Sequence, residues 1–400
     1  MVSMHTSPSA QPGIADAGGM NVTLLAIAAQ LAIRGVEVDL LTRATGEPAV
    51  TSLLPGVTLR SLAAGESGPL RKEDLASVSD AFGEEVARLT GRAAPRYDLI
   101  HAHYWLSGIA VLPVAIELGL PFVQSFHTLA AMKNVNQPVG AVLEPEARLR
   151  SETFLSHQAN AVVASSAAEA SALIDDVGAP SERVWVIPPG VDLELFTPER
   201  RVEDTAVRRK LGLEHGRPIV AVIGRVQPLK GQDLAIRALA ELRALRGWAP
   251  LLVIAGEATP GGERFVSDLH ALVDALGVAA DVRFVGALDR ETLADLLAST
   301  AVTLVPSHSE TFGLVALESA ASGTPVIGSR SSGLLESVAE GESGILLESR
   351  DPRVWAVELS VLLDDPLRLS RIGATARDHA EHFSWATSAA SLLGVYASLG

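Results

Sequence analysis

Short apolar runs alternate with amphipathic stretches along the whole chain, and this alternation predicts a repeating order of strand and helix. The runs are rich in Val, Ile and Leu, which is typical of strands buried on both faces of a parallel sheet. In the first half they predict strands over 36–43, 57–64, 98–104, 121–128, 161–166 and 184–190. In the second half they predict strands over 218–225, 250–257, 281–288, 301–308, 324–329 and 344–348. Stretches with helical spacing, such as 21–34 and 144–157, lie between most of the strands.

A charged segment, 197–218, separates the two sets of strands and has the composition of a linker. A chain of 400 residues also exceeds the size at which one hydrophobic core keeps growing. The pattern therefore predicts an α/β protein with two doubly wound domains, over 1–196 and 197–383, that face each other. Ligands bind such sheets at the carboxyl ends of the strands, so we expect the functional site in the cleft between the domains.

Composition and charge narrow the function classes. The net charge is −15 and no long run of Lys or Arg occurs, which argues against nucleic acid or an anionic membrane surface as a partner. The absence of cysteine excludes disulfides and thiolate metal sites. No apolar run approaches the roughly 18 residues of a membrane span, and His5, Pro8 and Pro12 interrupt any signal peptide. We therefore expect a soluble, cytoplasmic protein without a stable membrane anchor.

The first connection, SPSAQPGIADAGGMNV over 7–22, is about twice as long as a usual connection between strand and helix. It contains three glycines and two prolines, and it follows what reads as a short strand. Long irregular loops in compact domains are often functional. We expect this loop to reach the cleft and the next helix to begin at Met20.

Two carboxylates bracket a predicted helix start in PSHSETFGLVALESAASGTPV, over 306–326. Glu310 precedes the helix and Glu318 lies in its second turn. Free amides at a helix start suit a phosphate, and the two carboxylates could accept hydroxyls of a ribose and of a second sugar. A helix with an acidic first turn and no ligand explains the same pattern.

Two cations follow another predicted strand in GRVQPLKG, over 224–231. Arg225 and Lys230 flank a tight loop at the carboxyl end of the strand, where they could stabilise the growing charge of a diphosphate leaving group. Two solvated surface charges are the alternative. The segment is not a Walker loop, because the order Gly-x4-Gly-Lys-Ser/Thr is absent.

Three histidines, His5, His103 and His127, fall at strand ends. His101 and His103 share a strand face and could form a metal pair, but no acidic or further histidine ligand lies nearby in the sequence. Core or cleft histidines are therefore the preferred interpretation. His127 could hydrogen-bond a sugar hydroxyl or a departing oxygen. The chain has no Gly-x-Ser-x-Gly elbow, no cysteine nucleophile and no dinucleotide-binding glycine spacing, which disfavours a nicotinamide enzyme.

Taken together, GGMNV, GRVQPLKG and SETFGLVALE resemble the motifs of the retaining GT-B glycosyltransferases. More narrowly, MHTSPSAQPGIADAGGMNV, LLTRATG, LIHAHYWLSG, HTLAAMKN and FSWATSA are similar to the family of mycothiol biosynthesis that glycosylates inositol phosphate. That family moves N-acetylglucosamine from UDP-N-acetylglucosamine to 1D-myo-inositol 3-phosphate. The resemblance covers nearly the whole chain and implies a GT-B fold of two Rossmann-like, doubly wound parallel-sheet domains. The first would bind the acceptor and the second the nucleotide-sugar.

The resemblance implies further properties of the whole protein. A C-terminal helix, about 384–400, would pack back on the first domain, and a homodimer is expected. No cofactor is expected to be required, and a role for Mg²⁺ stays open. Because the carboxylates are committed to binding, a front-face mechanism follows as a hypothesis, in which the leaving phosphate deprotonates the acceptor.

The resemblance also assigns roles to single residues. It implies catalytic roles for His127, Arg225, Lys230 and Glu310. It implies donor binding by Gln11, Pro12, Gly19, Arg225, Lys230, Glu310, Phe312, Gly313, Leu314 and Glu318. It implies acceptor binding by His5, Asp16, Asn21, Lys72, Tyr104, Thr128 and Arg148. Arg148 is preferred to Arg150, although the Glu-Gln-Gln that follows this arginine in the family reads ETFLSH here.

Two other segments depart from the family. GEATPGG, over 256–262, replaces the usual glycine-pair loop, and GESGPLRKEDL around Lys72 is only loosely similar. Two other functions therefore stay open. One is a related transferase with another donor or acceptor, such as a sucrose-phosphate-synthase-like activity on a sugar phosphate. The other is a module that binds a nucleotide-sugar without turnover.

Overall fold

The structure is a computed structural model that describes residues 1–71, 74–91, 97–138, 142–214, 216–259 and 261–400, with the backbone alone for 202–205. Its first sheet contains β1 Val38–Arg43, β2 Ala49–Leu54, β3 Val57–Leu62, β4 Ile100–His103, β5 Phe122–Ser125, β6 Ala161–Ala164 and β7 Val184–Val186. Its second sheet contains β8 Ile219–Ile223, β9 Leu251–Ala255, β10 Val282–Gly286, β11 Val302–Val305, β12 Val326–Ser329 and β13 Gly344–Leu347. Each strand predicted from the apolar runs is present, in a slightly shorter form.

Helices connect and cover the strands. Those of the first half are α1 Gly19–Ile33, α2 Ser79–Thr90, α3 Trp105–Leu118, α4 Ala130–Val135, α5 Glu146–Gln158 and α6 Ala167–Asp175. Those of the second half are α7 Asp204–Lys210, α8 Gln232–Arg246, α9 Glu263–Ala275, α10 Arg290–Ser299, α11 Leu314–Ala321, α12 Leu334–Ser337, α13 Pro352–Asp364, α14 Pro366–Ala380 and α15 Trp385–Ala397. Short 3₁₀ turns lie at Leu75–Val78, Ser181–Arg183, Pro198–Glu203, Pro228–Lys230 and Ala279–Asp281.

The first residues of the chain complete the first sheet. Backbone hydrogen bonds run from Val2 N to His101 O and from Ser3 N to Leu41 O, each 2.8 Å long. Val2 thus forms a short parallel bridge between β1 and β4, in the strand order β2-β3-β1-β4-β5-β6-β7. The short strand expected before the loop 7–22 is therefore present as this bridge. It brings the loop to the carboxyl ends of the central strands.

The sequence pattern did not predict β2. This strand pairs antiparallel with β3 and nearly all of its residues are exposed. An exposed edge strand has no buried apolar run, so hydrophobic patterning does not reveal it.

The second sheet has the order β10-β9-β8-β11-β12-β13 and its strand pairs are parallel. Its core contains fully buried side chains from the strands and from the covering helices α8 and α13, among them Val220, Leu239, Leu252, Trp355 and Leu359. The strand order reverses between β8 and β11, so this is the topological switch point at which a doubly wound sheet binds ligands. The predicted fold class, two Rossmann-like domains built on parallel sheets, is confirmed.

The chain crosses between the domains twice, and the two crossings touch. Val191 N donates a hydrogen bond to Phe383 O over 3.0 Å. A Cβ atom on Gly190 would lie 2.2 Å from Trp385 N, so glycine is required for this approach. After the second crossing, α15 packs against α1 and buries Trp385, Ala389 and Leu392 beside Ile27 and Leu31.

The charged segment 197–218 is not an extended connection. It forms the 3₁₀ turn Pro198–Glu203 and α7, and both pack against α10. Arg200 pairs there with Glu291 and Asp295. The segment therefore packs on the second domain through α10, and the domain boundary at 196/197 stays a prediction.

Candidate active site

A cavity of about 340 Å³ lies between the two domains, at the carboxyl ends of strands from both sheets. Its volume falls within the range of small-molecule sites. The expected site residues that line it are His5, Pro12, Asp16, Gly19, Tyr104, His127, Thr128, Arg225, Lys230, Glu310, Phe312, Gly313, Leu314 and Glu318. Asn21 and Arg148 are buried behind the lining, Gln11 is exposed on the loop 7–22, and Lys72 lies outside the described residues.

Lys230 and Glu310 meet at the switch point of the second sheet. The 3₁₀ turn after β8 directs Lys230 Nζ at Glu310 Oε1 over 2.6 Å. The same carboxylate oxygen accepts a hydrogen bond from Ser307 Oγ over 2.7 Å. Glu310 is therefore held in one orientation. An incoming anion can pair with Lys230 in place of this carboxylate.

Arg225 provides the second cation of this region. Its NH1 lies 3.5 Å from Asp16 Oδ1 of the loop 7–22 in the first domain. Both side chains are about a quarter exposed. Because the pair joins the two domains and Arg225 lines the cavity, the guanidinium places a positive charge beside the space between the domains.

The start of α11 forms the wall of the cleft beside these cations. Gly313 caps this helix with a φ of 98°, and a Cβ atom there would lie 2.5 Å from Leu334 Cδ2. A glycine is therefore required for the turn that presents the first amides of α11. Phe312 is buried, with its ring 5.7 Å from that of Phe383, and anchors this turn. Unpaired amides at a helix start attract anions.

Glu318 lies in the second turn of α11 and pairs with Arg290, which sequence reasoning missed. Arg290 is the first residue of α10, and its guanidinium lies 4.7 Å from the ring centre of Phe196. It also lines the cavity. The sequence contained the information needed to predict Arg290. Asp289 caps the helix that follows β10, and Arg290 therefore lies at the carboxyl end of a strand, where such sheets bind ligands.

Three histidines converge on the other side of the cavity: His103 ends β4, His127 follows β5, and His5 follows the bridge at Val2. Nδ1 of His103 lies 2.8 Å from Nε2 of His127, and the ring of His5 lies 4.4 Å from that of Tyr104. Tyr104 and His127 have φ angles of 73° and 60°. Left-handed backbone at residues other than glycine is strained and is concentrated at functional sites.

Arg148 is buried behind the first-domain wall of the cavity. Its Nε donates to Glu152 Oε1 over 2.7 Å, and its NH2 donates to Thr128 O over 2.7 Å. Its guanidinium lies 5.0 Å from the ring centre of Tyr104. Arg150, in contrast, is 73% exposed and pairs with Glu146 at 3.7 Å. The structure thus places Arg148, and not Arg150, beside Tyr104 and Thr128.

The side chain of Asn21 fixes the loop 7–22 through two hydrogen bonds to its backbone. Its Nδ2 donates to Ser7 O over 2.6 Å, and its Oδ1 accepts from Gly18 N over 3.0 Å. A Cβ atom on the neighbouring Gly19 would lie 3.0 Å from Leu314 Cδ1 in the other domain. The glycine therefore lets the start of α1 come close to the start of α11, with the cavity beside them.

Direct hydrogen bonds join the two domains around the cavity. Ser166 Oγ donates to Thr311 O over 2.8 Å, and Thr311 Oγ1 donates to His127 O over 2.8 Å. At the start of α6, Ala167 N donates to Glu336 Oε1 over 2.6 Å. The loop that carries Glu310 is thus tied directly to the strained histidine of the first domain.

Glu169 is a second cavity-lining residue that sequence reasoning missed. It is 1% exposed and lines the cavity, and its Oε2 accepts hydrogen bonds from Ser165 N and Oγ over 2.7 and 2.6 Å. Burial raises the pKa of this carboxyl to about 7. The signal was the sequence Ser166-x-x-Glu169, which is a helix-capping pattern.

We expect Glu169→Gln to remove a pH dependence of stability. A carboxyl whose pKa is raised to about 7 by folding contributes stability below its unfolded pKa and loses it as the pH rises through 7. The loss from this group amounts to up to about 3 kcal/mol. Urea unfolding at pH 5 and pH 8 measures it as the change in the free energy of unfolding.

Asp175→Asn, which changes an exposed carboxylate on the same helix, is the control and should leave the wild-type pH dependence in place. If the free energy of unfolding depended on pH in the same way in wild type and in Glu169→Gln, the prediction would be contradicted.

Within the described ranges, no helix is long and apolar enough to cross a membrane. The same residues contain no group of three or more His, Cys, Asp or Glu side chains arranged to hold a metal ion.

Two family models match the chain: Glycosyltransferase Family 4 over residues 17–195 and Glycosyl transferases group 1 over residues 203–379. Together with the two facing Rossmann-like domains and the cavity between them, these matches define a GT-B glycosyltransferase. The D-inositol 3-phosphate glycosyltransferase of Nocardiopsis dassonvillei is 43% identical, over 99% of this chain and 93% of that protein. That of Thermobifida fusca is 42% identical, over 99% and 92%. The chain belongs to the family of D-inositol 3-phosphate glycosyltransferases.

Solved structures share the fold. Sucrose-phosphate synthase from Thermosynechococcus elongatus superimposes with a TM-score of 0.90 and is 30% identical, over 100% of this chain and 98% of that one. HepE from Anabaena, solved in complex with UDP-glucose, superimposes with a TM-score of 0.79 at 22% identity, over 100% and 98%. At that lower identity the likeness shows the fold alone.

Proposed function

We propose that the protein is a retaining glycosyltransferase that moves N-acetylglucosamine from UDP-N-acetylglucosamine to 1D-myo-inositol 3-phosphate. The observation that carries the proposal is a cleft with two cations on its second-domain wall and a third cation, paired with Glu144 and Glu152, buried behind its first-domain wall. Arg225 and Lys230 lie on one wall, and Arg148 lies behind the other. In a chain of net charge −15, cations on both sides suit an anionic donor and an anionic acceptor. The names of the family members support the choice of inositol 3-phosphate as the acceptor.

On the donor side, the diphosphate would lie between Lys230, Arg225 and the first amides of α11. Glu318 would accept the ribose hydroxyls, and Glu310 would accept hydroxyls of the transferred sugar. Gly19 would leave room for the diphosphate at the start of α1. HepE, which shares the fold, was solved in complex with UDP-glucose, and a nucleotide-sugar donor is consistent with that complex.

On the acceptor side, the phosphate would be bound near Tyr104, Thr128 and the guanidinium of Arg148. His5 and Asp16 line the same cavity and would contact the inositol ring. Asn21 would act through the loop 7–22, because its side-chain amide is bonded to that loop. Lys72 remains a proposed acceptor ligand from the family resemblance.

The reaction would proceed on one face of the sugar. The bond from the anomeric carbon to the diphosphate breaks, the acceptor oxygen bonds to that carbon on the same face, and its proton passes to the departing phosphate oxygen. The two cations and the helix start stabilise the charge on the leaving group. Glu310 is held by Lys230 and Ser307, which supports a binding role rather than a nucleophilic one.

Mass spectrometry of the product tests the donor and the acceptor together. With UDP-N-acetylglucosamine and inositol 3-phosphate, we expect a product that carries one N-acetylhexosamine on inositol phosphate, and NMR of that product should show the α configuration.

Sucrose-phosphate synthase, 30% identical over the full chain, supports one second candidate, which is transfer to a sugar phosphate. Product from fructose 6-phosphate and none from inositol 3-phosphate would favour that candidate. UDP-sugar binding without any product would indicate a binding module.

A further inference from the structure

Two imidazoles are joined at the edge of the cavity. Nδ1 of His103 lies 2.8 Å from Nε2 of His127, and the two rings are 28° from parallel. His103 is 3% exposed, and its Nε2 is buried with no hydrogen-bond partner among the described residues. His127 lines the cavity with a left-handed φ of 60°. A strained residue of this kind is held in place by its surroundings.

Both rings are neutral near pH 7. Burial lowers the pKa of His127 to about 4, and burial also lowers the pKa of His103 well below its usual range. A hydrogen bond between two neutral imidazoles contains a single proton, so one ring donates and the other accepts. Which ring donates then fixes the tautomer of both.

The unpartnered nitrogen of His103 decides between the two arrangements. If His127 donated, His103 would carry its own proton on Nε2, as a buried N–H without an acceptor. Buried N–H groups without a partner are rare, and unpaired acceptors are tolerated better. If His103 donates through Nδ1–H, its Nε2 is only an unpaired acceptor, and His127 carries its proton on Nδ1.

A second histidine, His101, also holds the ring of His103 in place. His101 stacks on it with ring centres 4.1 Å apart. His101 is itself fixed at both nitrogens, by Tyr396 OH over 2.6 Å and by Ser125 Oγ over 2.9 Å. Tyr396 lies on the C-terminal helix α15 and bonds to His101 rather than to either of the two joined imidazoles.

We propose that His103 is a positioning residue that holds His127 in the Nδ1–H tautomer, so that His127 offers the substrate a neutral hydrogen-bond donor. The hydrogen bonds of His127 to described residues use its Nε2 and its carbonyl oxygen, which leaves Nδ1–H for a ligand oxygen. The tautomer follows from the protein alone. Only the nature of the ligand oxygen, on a sugar or a departing phosphate, rests on the proposed function.

Two-bond ¹H–¹⁵N NMR of the full-length protein with ¹⁵N-labelled histidine tests the tautomer without any substrate. His127→Gln assigns its signals by their loss. We expect His127 to show a protonated Nδ1 and an unprotonated Nε2. A protonated Nε2 on His127 in the wild-type protein would overturn the proposal.

Two amide variants at His103 test the positioning role. The amide of Asn reaches the place of Nδ1, and the amide of Gln reaches the place of Nε2, so His103→Asn can still donate to His127 and His103→Gln cannot. We expect kcat/KM to fall about tenfold to a hundredfold in His103→Gln, the range for one lost buried hydrogen bond. His103→Asn should recover most of that loss.

Tyr396→Phe is the control for general disruption of the cluster, because it removes a buried hydrogen bond from His101 without touching His127. It should leave the tautomer of His127 unchanged and alter kcat/KM by less than about threefold. Equal losses in the Asn and Gln variants, or an equal loss in Tyr396→Phe, would overturn the positioning role. If the wild-type protein forms no product from inositol 3-phosphate, the proposed function fails while the NMR spectrum still decides the tautomer.

Discussion

Replacing Lys230 with alanine is expected to lower kcat by about 10²- to 10³-fold, the loss found when one preorganised donor to a developing negative charge is removed. Lys230 stands at the switch point of the second sheet, 2.6 Å from Glu310. When the bond to the sugar breaks, negative charge grows on the diphosphate, and the lysine would stabilise this charge more than it stabilises the ground state. The measurement is the rate of UDP release with saturating donor and acceptor.

The fold should survive this change. Lys230 lies on a short 3₁₀ turn with its side chain 23% exposed, and Glu310 keeps its hydrogen bond from Ser307. Arg237→Ala is the matched control, since it removes one positive charge from an exposed position on the adjacent helix α8. It should change neither kcat nor KM. A Lys230→Ala enzyme that turns over within about tenfold of wild type would refute the electrostatic role.

The site residues at the strand ends of the second domain were predictable from the sequence, because a doubly wound fold binds its ligands at the carboxyl ends of its strands. Lys230 and Glu310 are 80 positions apart in the chain, yet both follow strands, β8 and β11, that lie side by side. Parallel strands present their carboxyl ends at the same edge. When a sequence predicts a strand followed by a polar loop, the residues of that loop can therefore be assigned to the cleft before any distance is known.

Residues that act through buried partners were not predictable in this way. Neither the joined imidazoles of His103 and His127 nor the contact of His101 with Tyr396 leaves a local pattern, because each pair joins residues far apart in sequence. The raised pKa of Glu169 depends on its burial in the folded chain, which no window of sequence encodes. Arg290 differs, because its position after β10 could have been read from the same strand-end rule.

Replacing Arg148 with methionine is expected to destabilise the first domain by about 3–5 kcal/mol, the usual cost of breaking a buried ion pair from one side. Arg148 and Glu152 have side chains 2% and 1% exposed, joined at 2.7 Å. Removing the guanidinium leaves the Glu152 carboxylate buried without its cation. Since 1 kcal/mol shifts the midpoint of a domain of this size by about 2–4 °C, thermal unfolding should begin on the order of 10 °C lower.

The penalty should depend on pH with a defined sign. Burial already raises the pKa of Glu152, and Arg148 opposes that rise. In Arg148→Met the pKa of the Glu152 carboxyl rises further in the folded state. The folded variant therefore keeps this carboxyl protonated at pH values at which the unfolded chain, with a glutamate pKa of about 4.3, has released the proton. Stability of the variant relative to wild type therefore falls as the pH rises from 5 to 8. Urea unfolding at both pH values measures the difference.

The double variant Arg148→Met with Glu152→Gln separates the stability role of Arg148 from its binding role. A glutamine can keep the bond that Glu152 Oε2 accepts from Ala130 N at 2.9 Å, and it carries no buried charge, so most of the lost stability and its pH dependence should return. Transfer to inositol 3-phosphate should not return, because the guanidinium beside Tyr104 and Thr128 is still missing. We expect kcat/KM for the acceptor to stay at least about 10²-fold below wild type, while UDP binding is kept. If the stabilised double variant regained transfer, Arg148 would be a purely structural cation, and the acceptor phosphate would have to be bound elsewhere in the cleft.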